Sequence, residues 1–258
     1  MRRLGRTTRG KTAPQRLRRT DTFVALDGVL RRAPRCYVDV GYGADATTVL
    51  ETATRLRGAA PDLRVIGVEI DRDRVDGAEV HAIAGRIEFV HGGFEAVARL
   101  APVGVIRAMN VLRQYDESEH APAIAALGRA IAPGGVLVEG TSSPSGRLLT
   151  ANVYRAGTDG LQLDGLLLAP NPRRQWEPRE LQTVLPKNWI HRCAPGSPLD
   201  AFFEQFDRAV RTARAAGLDS AALTRWVVGA LSAEGVGFDR RPALLRRSLM
   251  IVRQIPAM

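Results

Sequence analysis

The chain has 258 residues, a formal net charge of +10 and two cysteines. That length suits one large domain or a domain with an appendage. No run of about 18 apolar residues occurs, so no membrane-spanning helix is expected, and Cys36 and Cys193 form neither a metal-ligand spacing nor a disulfide framework. No signal-peptide core follows Met1-Arg2-Arg3. The arginine-rich start leaves a transit peptide open, but the expected location is cytoplasmic. Lys11 and Lys187 are the only lysines. Arginine suits phosphate recognition through its planar fork, and GC-rich coding also favours it. Coding bias accounts for the choice of arginine but not for the excess of base over acid.

Residues 1–34 read as a basic arm followed by a short helix. Positions 1–20 carry Arg2, Arg3, Arg6, Arg9, Lys11, Arg16, Arg18 and Arg19 and no acid. Gly5, Gly10 and Pro14 interrupt any helix there, which fits a flexible arm or a wrapped extension. Apolar residues at helical spacing predict a helix over 21–32. From 35 to 169 the pattern is that of an α/β core. Short runs rich in valine and isoleucine at 36–40, 64–69, 86–90, 103–109 and 135–139 predict strands covered on both faces. Helices are predicted between them at 46–57, 72–83, 94–100 and 118–131. Alternation of this kind implies a parallel sheet. Two further strands are predicted at 148–154 and 161–168. Residues 170–258 read as mostly helical, with helices at 178–185, 198–216 and 219–234 and a final strand at 248–252. The expected fold is therefore Rossmann-like α/β: a mainly parallel twisted sheet of about seven strands, helices on both faces, and a helical C-terminal extension packed on the core.

The chemistry concentrates in Asp39-Val-Gly41-Tyr-Gly43, which follows the first predicted strand and precedes a helix. Glycines at such a turn let the backbone bend tightly and let a ligand approach without a Cβ in the way. The next predicted strand ends in Glu69, and an acid there can accept both hydroxyls of a ribose. Strand, glycine loop, helix, strand and acid in that order point to a nucleoside ligand. A solvated strand end is the simpler reading of Glu69. Two cofactors fit the pattern. In a dinucleotide fingerprint the helix N-terminus holds a pyrophosphate, but here Asp45 stands at that position and would repel it. S-adenosylmethionine has no phosphate and carries a sulfonium cation that Asp39 can favour. The residues lean toward S-adenosylmethionine, with NAD second.

Residues 36–140 resemble the core of the class I S-adenosylmethionine-dependent methyltransferases. Asp39–Gly43 looks like their first motif and Gly67-Val-Glu-Ile-Asp71 like the motif that follows it. Ala108–Tyr115 is similar to the segment that ends strand four, and Leu127–Glu139 to the helix, Pro-Gly-Gly turn and strand five. The resemblance implies S-adenosyl-L-methionine as cofactor, methyl transfer as activity, and a cofactor site at Asp39, Gly41, Tyr42, Gly43, Glu69, Gly93, Phe94 and Asn110. The chain departs from the pattern in three places. Asp45 stands where a third glycine is usual, Gly92-Gly93 where the family often has Gly-Asp for adenine, and Gly104 where strand four often begins with an acid.

Methyl transfer is an in-line displacement in which alignment can supply about 7–11 kcal/mol, so no acid–base pair is required and no catalytic residue is assigned. Glu139 and Tyr115 are candidate bases, with loop packing as the alternative for both. His81, His91, His120 and His191 lack metal-ligand spacing and read as surface or packing residues. Lys187–Arg192 either lines a substrate pocket or ends a helix. The partner expected is a methyl acceptor, a small molecule in preference to RNA, with nucleic acid also open to the basic 1–20 arm. A non-catalytic binding protein and an NAD-dependent oxidoreductase are the alternatives.

Overall fold

In a computed structural model the chain is described over residues 10–255. The basic residues Arg2, Arg3, Arg6 and Arg9 of the predicted arm lie outside the described residues. The remainder of that arm, from Gly10 to Leu17, runs against the core and leads into α1 (Arg18–Asp27). Phe23 and Val24 anchor α1 by its buried face, and Gly28 ends it in the left-handed conformation. A short turn of helix, α2 (Val29–Arg32), then hands the chain to the sheet.

The parallel half follows: β1 (Cys36–Val40), α3 (Thr47–Leu56), β2 (Arg64–Glu69), α4 (Arg72–Ala78), β3 (Ile87–His91), α5 (Phe94–Ala98), β4 (Val103–Met109), α6 (Glu117–Gly128) and β5 (Ile131–Ser142). Nearly every residue of β1, β2 and β4 is buried, as their continuous apolar runs require. Gly104 explains the missing acid at the start of β4. A Cβ there would stand 1.9 Å from the carbonyl oxygen of Pro34, so no side chain fits. The sequence places a helix over 72–83, but α4 stops at Ala78 and only a 3-10 turn over Glu79–His81 continues it. Val80 is 80% exposed, so that turn has no apolar face to bury.

After β5 come β6 (Leu149–Gly157), β7 (Gly160–Leu168), a 3-10 segment (Pro178–Val184), α7 (Lys187–Ile190), α8 (Pro198–Ala215), α9 (Ser220–Ala233), β8 (Gly237–Phe238), α10 (Pro242–Leu245) and β9 (Met250–Gln254). All strands join one nine-stranded sheet in the order β3-β2-β1-β4-β5-β6-β7-β9-β8. The first five are parallel and the rest antiparallel. The sheet is thus mixed and larger than the seven mainly parallel strands expected. β9 pairs with β7 and draws the C-terminal region into the sheet, so that region is more than a helical extension. One face carries the core formed by α1, α3 and α10; the other carries a core under α5 and α6 that continues beneath α8 and α9. α8 is held by Phe202, Phe203 and Phe206, and Ser197 caps its N-terminus by accepting from the Asp200 amide at 3.2 Å.

The order β3-β2-β1-β4-β5 positions the site. The chain winds outward from β1 through β2 to β3, then crosses back to lay β4 on the other side of β1. At such a switch point the loops leaving neighbouring strands diverge and open a crevice at their carboxyl ends.

Candidate cofactor-binding site

Two openings lie at those carboxyl ends. The larger is a cleft of about 780 Å³ lined by the ends of β1, β4 and β5, among them Asp39, Gly41, Met109, Asn110, Thr141 and Ser142. Its remaining walls come from Gly10–Thr12, Arg16 and Leu17 on one side and Thr183 and Val184 on the other. The smaller is a crevice of about 20 Å³ between Gly41, Glu69, Gly93, Phe94, Val111 and Tyr115. Asp39, Gly41, Tyr42, Gly43 and Asn110 therefore surround the wide cleft, while Glu69, Gly93 and Phe94 surround the narrow one. Gly41 lines both.

The loop after β1 shows why glycine is needed. Gly41 has φ +66°, and a Cβ there would stand 2.8 Å from Cγ2 of Val111. Its amide donates to the Val68 carbonyl at 2.7 Å, which pins the loop to β2. The Gly43 amide donates to Oε2 of Glu69 at 3.2 Å, so glycine loop and strand-two acid are in contact. Oε1 of Glu69 accepts from the Ile70 and Asp71 amides at 2.9 and 3.2 Å, and Arg74 lies 3.7 Å from Oε2. Three amides and a guanidinium hold this buried carboxylate in place. Asp71 caps α4 by accepting from the Asp73 and Arg74 amides. Asp45 accepts from the Thr47 amide at 2.9 Å, so a carboxylate occupies the start of α3.

Three candidate residues have geometry that the sequence does not show. Asp39 lines the wide cleft, but its carboxylate is engaged: Oδ1 accepts from Nε of Arg107 at 2.9 Å, and Oδ2 from Nη2 of Arg107 at 2.6 Å and from Thr48 Oγ1 at 2.7 Å. The carboxylate expected to favour a cation is thus already paired with Arg107. β1 and β4 are adjacent with Asp39 opposite Arg107, and that register makes the ion pair. Arg107 also donates to Asp21 of α1 at 2.7 Å and lies 5.4 Å from the Tyr37 ring centroid. Asp21 in turn accepts from Thr52 and Arg55. Burial pushes Asp21 above the usual carboxylate range, with Arg107 and Arg55 opposing it. Burial also works against the Arg107 charge, but Asp39, Tyr37 and Asp21 more than offset it, and its pKa lies well above the ordinary value. The Tyr42 ring packs edge-on against Phe89, and a Cβ on Gly67 would stand 2.8 Å from that ring, so Tyr42 meets the cleft from the core. Asn110 has φ +63°, a conformation asparagine tolerates. Its side chain accepts from the Ser142 amide at 2.9 Å and donates to Ser142 Oγ at 3.1 Å, tying the ends of β4 and β5 together.

Neither candidate base lines the wide cleft. Glu139 is buried between Nε2 of His120 at 3.2 Å and Nδ2 of Asn152 at 2.8 Å. Asn152 continues to Asn188 and to the Trp189 indole, so these two residues of the Lys187–Arg192 string join the interior network, while His191 and Arg192 are exposed and none of the string lines the cleft. Tyr115 stacks at 5.7 Å from Phe94 beside the narrow crevice.

Structural comparison aligns about half of the chain with solved methyltransferases. A methyltransferase from Geobacter sulfurreducens is 16% identical over 50% of this chain and 61% of its own, with a TM-score of 0.38. A plantazolicin methyltransferase solved with a substrate analogue and SAH is 12% identical over 49% of this chain and 46% of its own, with a TM-score of 0.39. An N-methyltransferase from Bradyrhizobium japonicum is 16% identical over 49% of this chain and 68% of its own, with a TM-score of 0.33. The strand order β3-β2-β1-β4-β5, with helices between the parallel strands, is by itself Rossmann-like. The chain spans about half to three fifths of the length of the first two. No protein-family model and no curated protein matches the sequence.

Lys11, Thr12 and Arg16 build a cleft wall that no motif in the sequence marks. Arg16 donates to Ser142 Oγ at 3.0 Å, to the Ser142 carbonyl at 3.1 Å and to the Lys11 carbonyl at 2.6 Å. The Ala44 amide donates to the Gly10 carbonyl at 2.8 Å, which fastens the segment to the glycine loop. A run of basic residues broken by glycine and proline fits a flexible arm as well as a wrapped extension, and no periodicity marks it as a wall. Among the described residues no group of histidine, cysteine and acidic side chains could hold a metal ion, and no helix is long and apolar enough to cross a membrane.

Proposed function

We propose that the chain binds S-adenosyl-L-methionine at the β1–β4 switch point and transfers its methyl group to an acceptor in the wide cleft. The observation that carries this reading is the contact of the Gly43 amide with Glu69, a glycine loop joined to a strand-two acid beside a cleft of about 780 Å³. The residues fit the polar groups of a nucleoside without phosphate. Glu69 is placed to accept the ribose hydroxyls, with the long Gly43 contact exchanged for them. Asp45 already accepts from the first amide of α3 and opposes the pyrophosphate of NAD. In this reading Gly93 and Phe94 flank adenine. Their crevice of about 20 Å³ has room for roughly one water, so adenine enters only as its walls part.

The bound cofactor supplies an electrophilic methyl group. This chain's own residues bind and align. Among the described residues Asp39 is the one carboxylate in the wide cleft, and Arg107 holds it. The cleft therefore works by proximity and alignment and not by a side-chain base. Lys11, Arg16 and Arg113 give it a positive lining that suits an acceptor of negative charge. A small molecule fits the cleft's size, and RNA is the other acceptor class. The second reading is binding without turnover, favoured by the engaged Asp39 and the narrow adenine crevice.

Turnover with a donor labelled at the methyl group, against cell extract fractionated by size, tests the proposal. Label transferred to a small or macromolecular fraction supports it and names the class. Cofactor binding with no transfer to any fraction supports the second reading.

A further inference from the structure

A second cleft, of about 430 Å³, lies where α1 meets α3 and the turn between α10 and β9. Arg18, Arg19, Arg55, Arg173, Arg246 and Arg247 all line it. Its one carboxylate, Asp21, is already held by Arg107 and Arg55. The other five arginines of the cleft have no carboxylate partner among the described residues. Elsewhere several arginines are paired, Arg64 with Glu88, Arg147 with Glu180, Arg155 with Asp27 and Asp164, and Arg241 with Asp239, while unpaired ones such as Arg57, Arg208 and Arg225 are exposed and stand apart in the sequence. Coding bias would scatter arginine over the surface and does not account for this concentration.

Arg19 makes the cleft more than a charged patch. It is 5% exposed, and its Nη2 donates to the carbonyls of Arg247 at 2.6 Å and Ser248 at 2.7 Å. Its Nε is buried with no hydrogen-bond partner. A buried guanidinium without a counter-charge is unfavourable. Burial first, then the charges of Arg18 and Arg247, bring its pKa down to about 9. A ligand that brings negative charge into the cleft supplies the missing counter-charge, and phosphate matches the planar fork of arginine better than any single-point anion does.

We propose that this cleft binds a phosphate group, with Arg19 as the buried anchor and Arg173, Arg246 and Arg247 as the exposed side chains that reach the ligand. The inference does not depend on the methyl-donor reading. The two clefts are nonetheless neighbours along one segment, since Arg16 and Leu17 line the wide cleft and Arg18 and Arg19 this one.

The test uses the full chain and two probes, inorganic phosphate and a ten-nucleotide single-stranded RNA. Binding is read by calorimetry and by the rise in thermal midpoint. The cleft variant combines Arg173→Ser, Arg246→Ser and Arg247→Ser, all exposed and without side-chain hydrogen bonds among the described residues. The control combines Arg57→Ser, Arg208→Ser and Arg225→Ser, the same charge change at exposed positions elsewhere. The wild type and the control should bind at least one probe, and the cleft variant should bind it at least about tenfold more weakly. Binding of phosphate but not RNA identifies a small phosphorylated ligand. RNA binding with a steep salt dependence identifies a phosphodiester backbone. Failure of both probes to bind the wild type overturns the proposal, as does an equal loss in the two triple variants.

Discussion

Replacing Arg107 with methionine removes the centre of the buried charge cluster between β1, β4 and α1. Arg107 is 1% exposed and touches Asp39 twice, at 2.9 and 2.6 Å, and Asp21 once, at 2.7 Å. Without it Asp21 keeps Arg55 and Thr52, but Asp39 keeps only Thr48. The damage is therefore one stranded buried carboxylate, and breaking a buried pair from one side costs about 3–5 kcal/mol. For a chain of this size each kcal/mol lowers Tm by roughly 2–4 °C, so a fall of about 6–20 °C is expected. Urea unfolding followed by circular dichroism, with calorimetric Tm alongside, measures both quantities. Adding Asp39→Asn to Arg107→Met should restore most of the loss, because the whole pair is then replaced by neutral groups. A loss below about 1 kcal/mol, or a double variant no better than the single one, would refute the reasoning.

Two further perturbations probe other parts of the account. Gly41→Ala places a Cβ 2.8 Å from Val111 Cγ2 at φ +66°. It should cost about 1–3 kcal/mol and weaken nucleoside binding; an unchanged Tm with unchanged binding contradicts the role given to this loop. Asp27 joins α1 to Arg155, Arg32 and Arg241 of three other segments. Burial alone would raise its carboxyl, but Arg155 and then Arg32 outweigh burial and hold it at about 2. An unfolded aspartate titrates near about 3.9, so this contribution of about 2–3 kcal/mol is present above that pH and lost as pH falls through 2. Asp27→Asn should therefore be destabilised most at pH 7, and its gap to wild type should narrow as pH drops below about 5. A gap independent of pH in denaturant titrations would show that the carboxylate charge is not what holds α1.

The parts of the fold that were legible in the sequence are those set by local pattern. The valine-rich runs at 36–40, 64–69 and 103–109 coincide with β1, β2 and β4 because buried parallel strands need unbroken apolar residues. The glycine loop is visible because a left-handed turn with Val111 packed against it favours a residue without a Cβ. What depended on long-range register was not legible. Arg107 is a charge inside a run that reads as a buried strand, but its partnership with Asp39 needs β1 beside β4, and its contact with Asp21 needs α1 folded back over both. Glu139 looked like a candidate base because it ends a run in β5, yet its side chain meets His120 and Asn152 in the interior. The two residues of β8 are too few to carry a period, and β9 reveals its place only through its pairing with β7. Arg19 was one more basic residue in a basic run until the fold buried it.

Titration of S-adenosylhomocysteine into the purified chain, beside NADH, most directly tests whether the switch point is a methyl-donor site. The account predicts heat with S-adenosylhomocysteine, none with NADH, and at least about tenfold weaker binding in Glu69→Gln, which loses the charge-assisted bonds to ribose, while its circular dichroism remains that of the wild type. No heat with S-adenosylhomocysteine, or equal binding by the Glu69→Gln variant, would contradict it.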